Sequence, residues 1–173
     1  MKELFTMTNV RFIFAGLKTT LYISVVSILL STLFGTILGV LRSLTSGIFK
    51  LAAAVYIEVV RNIPNLLWIY VVFVVFKLKS IEAGVVSFTI FTSAALGEIV
   101  RGGLNSVGVG QWEAARSQGF SNIQVLQYVI LPQALRNMIP AIVSQFVTVI
   151  KDTSFLWSVV AIQELTGKVT ILM

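Results

Sequence analysis

Two pairs of opposite charges interrupt an otherwise apolar sequence: Glu58 with Arg61, and Glu98 with Arg101. In each pair the residues stand three positions apart, on one face of a helix, so their side chains can meet. Two kinds of chemistry are open to them. They can be ion pairs that hold helices together. They can also line a polar path and grip a charged solute, the guanidinium taking a carboxylate through two parallel hydrogen bonds. A separate polar segment, Gln111-Trp112-Glu113-Ala114-Ala115-Arg116, closes with Gly119-Phe120. Acid–base and metal chemistry have little to work with. The chain has no Cys, no His and only seven Asp and Glu, none in a D-x-D or E-x-x-E cluster. No metal site and no cofactor is expected, and no G-x-x-x-x-G-K-[ST] loop is present to bind ATP.

Composition places these residues in a membrane. Apolar residues make up 57% of the chain and charged ones 12%, with mean hydropathy +0.94. Soluble domains carry about 25% charged residues. The net charge of +6 does not point to nucleic acid, because the 13 Lys and Arg are scattered singly and build no basic helix or aromatic-basic patch. Basic residues flanking lipid spans account for them.

Four spans are expected, over about 13–41, 48–76, 83–105 and 122–150. The first holds an uncharged run, 19–41, between Lys18 and Arg42. About 20 residues cross the hydrocarbon of a bilayer, and the apolar region of a signal peptide is shorter. Ser27, Ser31, Gly35, Gly39 and Ser43 recur at a spacing of four within it. They make a small-residue ridge suited to close packing, inside a bundle or across a dimer. In the second span Pro64 should kink the helix or split it from 65–76. Lys77, Lys79, Ser80 and Glu82 read as a polar loop, and Gly102-Gly103 weakens the end of the third span. Pro132 should kink the fourth. Lys151-Asp152-Thr153-Ser154 then breaks it, and Phe155 to Ile162 is too short to cross, so it reads as a re-entrant or loop helix.

Between the third and fourth spans, about 111–118 reads as a two-turn helix. Glu113 near its start and Arg116 near its end suit the helix dipole. Gly119 suits the position just past the helix, where φ turns positive. So short a helix is marginal alone and must be held by packing. Ala114 and Ala115 leave a flat surface, and Trp112 and Phe120 supply large apolar anchors at its ends. Together these make the shape of a docking helix. An interfacial helix lying on lipid, the other reading, needs a longer apolar face.

These residues carry a resemblance. E-A-A-x-x-x-G followed by x-L-P, here Glu113-Ala114-Ala115, Gly119 and Ile130-Leu131-Pro132, resembles the EAA loop of permease subunits of binding-protein-dependent ABC importers. Val129 stands where that family usually has Ile. More specifically, the chain is similar to the polar amino acid permeases. The supporting stretches are Gly16-Leu17-Lys18-Thr19-Thr20-Leu21, Val60-Arg61-Asn62-Ile63-Pro64, Gly97-Glu98-Ile99-Val100-Arg101-Gly102-Gly103, Gly110 to Arg116, and Lys151-Asp152-Thr153-Ser154.

The resemblance implies an all-α polytopic membrane protein with the transmembrane domain of a type I ABC importer, a single domain over 1–173 in the bacterial cytoplasmic (inner) membrane. It implies a second permease subunit, as a homo- or heterodimer. It implies ABC ATPase subunits docked on Gln111, Trp112, Glu113, Ala114, Ala115, Arg116, Gly119 and Phe120. It also implies an extracytoplasmic amino-acid-binding protein, and ATP-driven alternating access with no covalent chemistry in this subunit. In that setting Glu58, Arg61, Glu98 and Arg101 either read the ammonium and carboxylate of an amino acid or are structural, with the binding protein setting specificity. Family members continue with a further membrane helix past the Glu-Leu-Thr stretch, here Glu164-Leu165-Thr166, and only Gly167 to Met173 follow it. The usual last helix is therefore expected to be missing, as in a fragment, a truncated reading frame or a degenerate subunit. A cytoplasmic EAA segment puts Arg42, Lys50, Arg101 and Arg116 inside and Lys2, Arg11, Lys18, Lys77 and Lys79 outside. That distribution has no positive-inside bias, so the motif alone sets the orientation. A reading from another class is a channel not coupled to ATP, or a small membrane scaffold assembled through the Ser/Gly ridge. It leaves the polar helix between spans unexplained.

Overall fold

The computed structural model describes residues 6–173; Lys2, one of the charges assigned outside, lies outside the described residues. The first helix, α1 (Met7–Leu44), starts at Thr6, whose side chain accepts the Asn9 amide. It begins earlier than the expected span. Its small-residue ridge faces α4 (Ser80–Asn105) within the same chain. Ser27, Ser31, Gly35 and Gly39 are all buried, and Ser27 Oγ donates to the Val85 carbonyl at 3.3 Å. A Cβ added at Gly35 would lie 2.7 Å from Leu96 Cβ, and one at Gly39 would lie 2.7 Å from the Gly97 carbonyl oxygen. Only glycine lets the two backbones approach this closely, the geometry by which helices associate where water supplies no driving force.

α4 is the central helix, packed on α1, α2, α3 and α7. It absorbs two residues of the expected polar loop, since Ser80 and Glu82 lie in its first turn. The loop reduces to Lys77 and its neighbours, with Lys77 in the left-handed region at φ 49°. The second expected span is split at Pro64, one of the two outcomes expected there: residues 48–76 form α2 (Gly47–Asn62) and α3 (Asn65–Phe76), bent 101° apart. Ile63 is extended, as the residue before a proline prefers, and the Pro64 carbonyl accepts the Leu67 amide to start α3. With 16 and 12 residues, α2 and α3 are about 24 and 18 Å long, each short of the roughly 30 Å hydrocarbon layer. Among the described residues, Met7–Leu44, Ser80–Asn105 and Asn122–Val160 are long and apolar enough to cross a membrane, with the bent pair as a fourth if it counts as one crossing.

After α5 (Val109–Ser117) comes a short α6 (Asn122–Gln124), and then the kink expected at Pro132 takes another form. A π-helical stretch, Val125–Ile130, leads directly into α7 (Leu131–Asp152). The wider π turn moves the carbonyl one turn back out of the way of the proline ring, so the helix runs on. Phe155–Val160 forms α8, and Leu165–Leu172 forms α9, which packs on α1. Its cap is Glu164, 1% exposed, which accepts the Thr166 and Gly167 amides at 2.8 Å and the Thr20 hydroxyl of α1 at 3.4 Å. Two apolar clusters hold the bundle. One gathers Ile23, Val60, Ile69, Phe88, Phe91 and Leu156; the other gathers Val100, Leu104, Ala115, Val125, Ala134 and Met138 under α5.

Candidate functional site

The polar residues singled out in the sequence fall into two places, an elbow on the surface and a charged cluster between helices.

The elbow runs from α5 to α6. α5 ends as the sequence suggested, with Gly119 at φ +84°. The Gly119 amide donates to the Arg116 carbonyl at 2.9 Å and the Phe120 amide to the Ala115 carbonyl at 3.2 Å. This bonding pattern satisfies the last carbonyls of a helix through a left-handed glycine. The chain then restarts at once. The Ser121 side chain accepts the Gln124 amide at 3.4 Å, while the Gln124 side chain accepts the Ser121 amide at 2.8 Å. This capping box was missed in reading the sequence, although Ser121-x-x-Gln124 before an apolar run is its signature.

The side chains of α5 divide differently from the expected docking surface. Ala115 is 5% exposed and belongs to the apolar cluster beneath the helix, and Trp112 packs against that cluster, half buried. These two residues hold α5 to its own chain. Gln111, Glu113, Ala114, Arg116, Gly119 and Phe120 are the exposed members. Arg116 lies 5.8 Å above the Trp112 ring, within reach of a cation–π attraction. The outward face is thus polar and charge-balanced, with Phe120 as its remaining apolar anchor.

The charged cluster draws on three helices. Glu98 of α4 accepts Arg101 Nε at 3.0 Å, the pairing that the i, i+3 spacing suggests, and also Arg42 Nη1 at 3.0 Å. Glu58 does not pair with Arg61, as its spacing suggested, but with Arg42 Nη2 at 2.5 Å. Arg61 reaches Glu98 only at 4.0 Å. The side chains of Arg42 and Glu98 are 17% and 23% exposed, against 63% for Glu58 and 51% for Arg61. Arg42 was read as the charge that ends the first span and counted among those inside, yet it joins α1 to both α2 and α4. The phase of the ridge carried the missing signal. Arg42 lies three residues past Gly39, on the helical face already turned towards α4. Arg42, Glu58, Arg61, Asn62 and Glu98 line a cavity of about 290 Å³. Its lining is charged and polar throughout.

The comparisons with known proteins agree with this geometry. Residues 31–171 match the family described as binding-protein-dependent transport system inner membrane component. A probable glutamine ABC transporter permease protein, GlnP, of Bacillus subtilis (strain 168) is 43% identical over 166 residues, covering 93% of this chain and 76% of the relative. The glutamate/aspartate import permease protein GltK of Escherichia coli O6:H1 is 33% identical, covering 82% and 69%. Among solved structures, one titled as an amino acid ABC transporter with histidines superposes with a TM-score of 0.86 at 31% identity, over 95% of this chain and 79% of that one. The inward-facing MetNI methionine ABC transporter shares the fold, with a TM-score of 0.73 at 21% identity.

Proposed function

The chain belongs to the binding-protein-dependent transport system inner membrane components, as a multi-pass permease subunit of an ABC importer, and we propose that its cargo is a polar amino acid of the glutamine and glutamate class. The cargo rests on the names of its relatives. In this reading the subunit sits in the cytoplasmic membrane of a bacterium and forms the path with a second permease subunit, alike or different. An extracytoplasmic binding protein loads the path, and separate ATPase subunits drive it.

The observation that carries ATP coupling is the elbow. A two-turn helix closed by a left-handed glycine, held from beneath by Trp112 and Ala115, presents Glu113, Ala114 and Arg116 outward as a rigid unit. Such a unit passes movement of a partner into α7 through the π stretch on which it packs. A channel or scaffold not coupled to ATP has no use for it. The test is co-purification with the ATPase. Glu113→Lys inverts the charge of an exposed residue without touching the core, so a loss of ATPase capture of tenfold or more is expected, with the thermal midpoint of the permease unchanged. Wild-type capture by that variant would remove α5 as the docking element.

A further inference from the structure

We propose that Arg61 is the carboxylate-binding residue of the solute path and that a polar stripe on α7 is the wall beside it. The proposal rests on the permease reading above and sorts the charged cluster, which that reading treats as one group.

The cluster holds three guanidinium groups and two carboxylates, so one cation is in surplus. Arg42 and Arg101 are engaged through direct hydrogen bonds to Glu58 and Glu98. Arg61 is the surplus member. It stands 4.0 Å from the already shared Glu98, is half exposed, and makes no hydrogen bond among the described residues. A guanidinium in that condition offers its forked donors to an incoming carboxylate, the geometry in which arginine binds most selectively.

Arg61 also joins two cavities. It lines the charged one described above and a second of about 210 Å³ with Asn65, Gln145 and Thr148, floored by Phe91 and Ala95. Gln145 and Thr148 lie on α7, whose surface is divided lengthwise. Leu135, Ile139, Val143, Val147 and Ile150 form an exposed apolar stripe, and Ala134, Met138 and Val149 face the core. Between them run Asn137, Ser144, Thr148 and Asp152 at helical spacing. Towards one end of the stripe Asn137 donates to Ser106, the C-cap of α4, at 2.8 Å; at the other, Asp152 accepts Asn65 of α3 at 3.3 Å. From Asn137 to Asp152 the stripe rises about 22 Å along α7, a large part of the roughly 30 Å hydrocarbon layer. Amides and hydroxyls at that depth are costly against lipid and belong to a water-filled path or another subunit. The apolar stripe from Ile139 onward, past the exposed Arg136 on the same face, takes the lipid. Arg61 faces this track from α2, across from Gln145 and Thr148, and an α-amino acid is the solute whose carboxylate it fits.

The test uses the permease–ATPase complex in detergent without binding protein, so that any discrimination belongs to the membrane subunits. Direct binding is measured for a panel of polar L-amino acids and for the same compounds with the α-carboxylate converted to the amide. The wild type should bind its best amino acid at least tenfold tighter than the amide. Arg61→Gln should lose about ten- to hundredfold for the acid and little for the amide. Arg61→Lys should fall between, because it keeps the charge and loses the fork. Equal binding of acid and amide by the wild type, no binding by any member of the panel, or an equal loss of both ligands in Arg61→Gln would overturn the proposal. The permease reading is scored apart from these results, by whether the complex assembles and hydrolyses ATP. A chain that captures no ATPase sinks both.

Discussion

In the elbow at 117–124 the groups that need partners belong to the backbone, and residues three to five positions away supply them. Gly119 turns the chain, its amide and that of Phe120 close α5, and Ser121 and Gln124 cap each other. In the cluster around Glu98 the groups are side-chain charges, and beside the local partner Arg101 a second comes from another helix, Arg42 at a separation of 56 positions. The difference follows from the solvent. A surface turn closes its backbone locally and leaves Glu113, Ala114 and Arg116 free to meet another protein. Charges packed between helices have less water to fall back on, so they pair with one another, and only a surplus charge stays available. Availability for a partner or a solute is therefore to be sought in what the local structure leaves over, on α5 after capping and in the cluster after pairing.

The contrast can be broken by removing one member of each region. The largest effect is expected for Glu98→Ala, which leaves Arg42, Arg61 and Arg101 facing each other without their shared anion. A loss on the order of 3 kcal/mol is expected. Its measure is a lower thermal midpoint and folded yield in detergent, with ATPase capture by the surviving folded fraction intact. An unchanged midpoint would mean that the cluster is not structural. Gly119→Val comes next, since it forces a β-branched residue to φ +84° at a strain of roughly 1–2 kcal/mol. Here the damage should stay local, as faster hydrogen exchange and proteolysis at 117–124, with weaker ATPase capture and unperturbed α1 and α4. Ser121→Ala should cost about 1 kcal/mol by removing half of the capping box. It should move the same readouts in the same direction by less. Were Ser121→Ala to exceed Gly119→Val, the cap of α6 rather than the end of α5 would set the elbow.

Legibility in the sequence followed the same division. The end of α5 at Gly119, the break at Pro64 and the small-residue ridge from Ser27 to Gly39 could all be read, because each depends on conformational preferences or spacing within one segment. The Glu98–Arg101 pair was readable for the same reason. The Glu58–Arg61 pair was not, because Arg42 of another helix outcompetes a neighbour on the same face. Ala115 was placed on the docking surface because two adjacent alanines look flat, yet they point about 100° apart, and the core beneath α5 takes one of them. The polar stripe of α7 stood in plain view as Asn137, Ser144, Thr148 and Asp152. It was passed over because polar residues spaced singly along an apolar run do not lower its mean hydropathy enough to stand out.

By itself the sequence determined the membrane class, through an excess of apolar residues that no soluble surface tolerates, and the family, through the EAA segment and the stretches around it. It also determined the local breaks and caps, since a proline without an N–H and a glycine free at positive φ act within a few residues. Only the tertiary structure decided which charges meet, which face of α5 turns outward and which cation remains over. Those outcomes depend on how each helix is rotated against its neighbours. The close approach of α1 to α4 at Gly35 and Gly39 sets that rotation, and it carries Arg42 to Glu98 and leaves Arg61 without a hydrogen bond among the described residues.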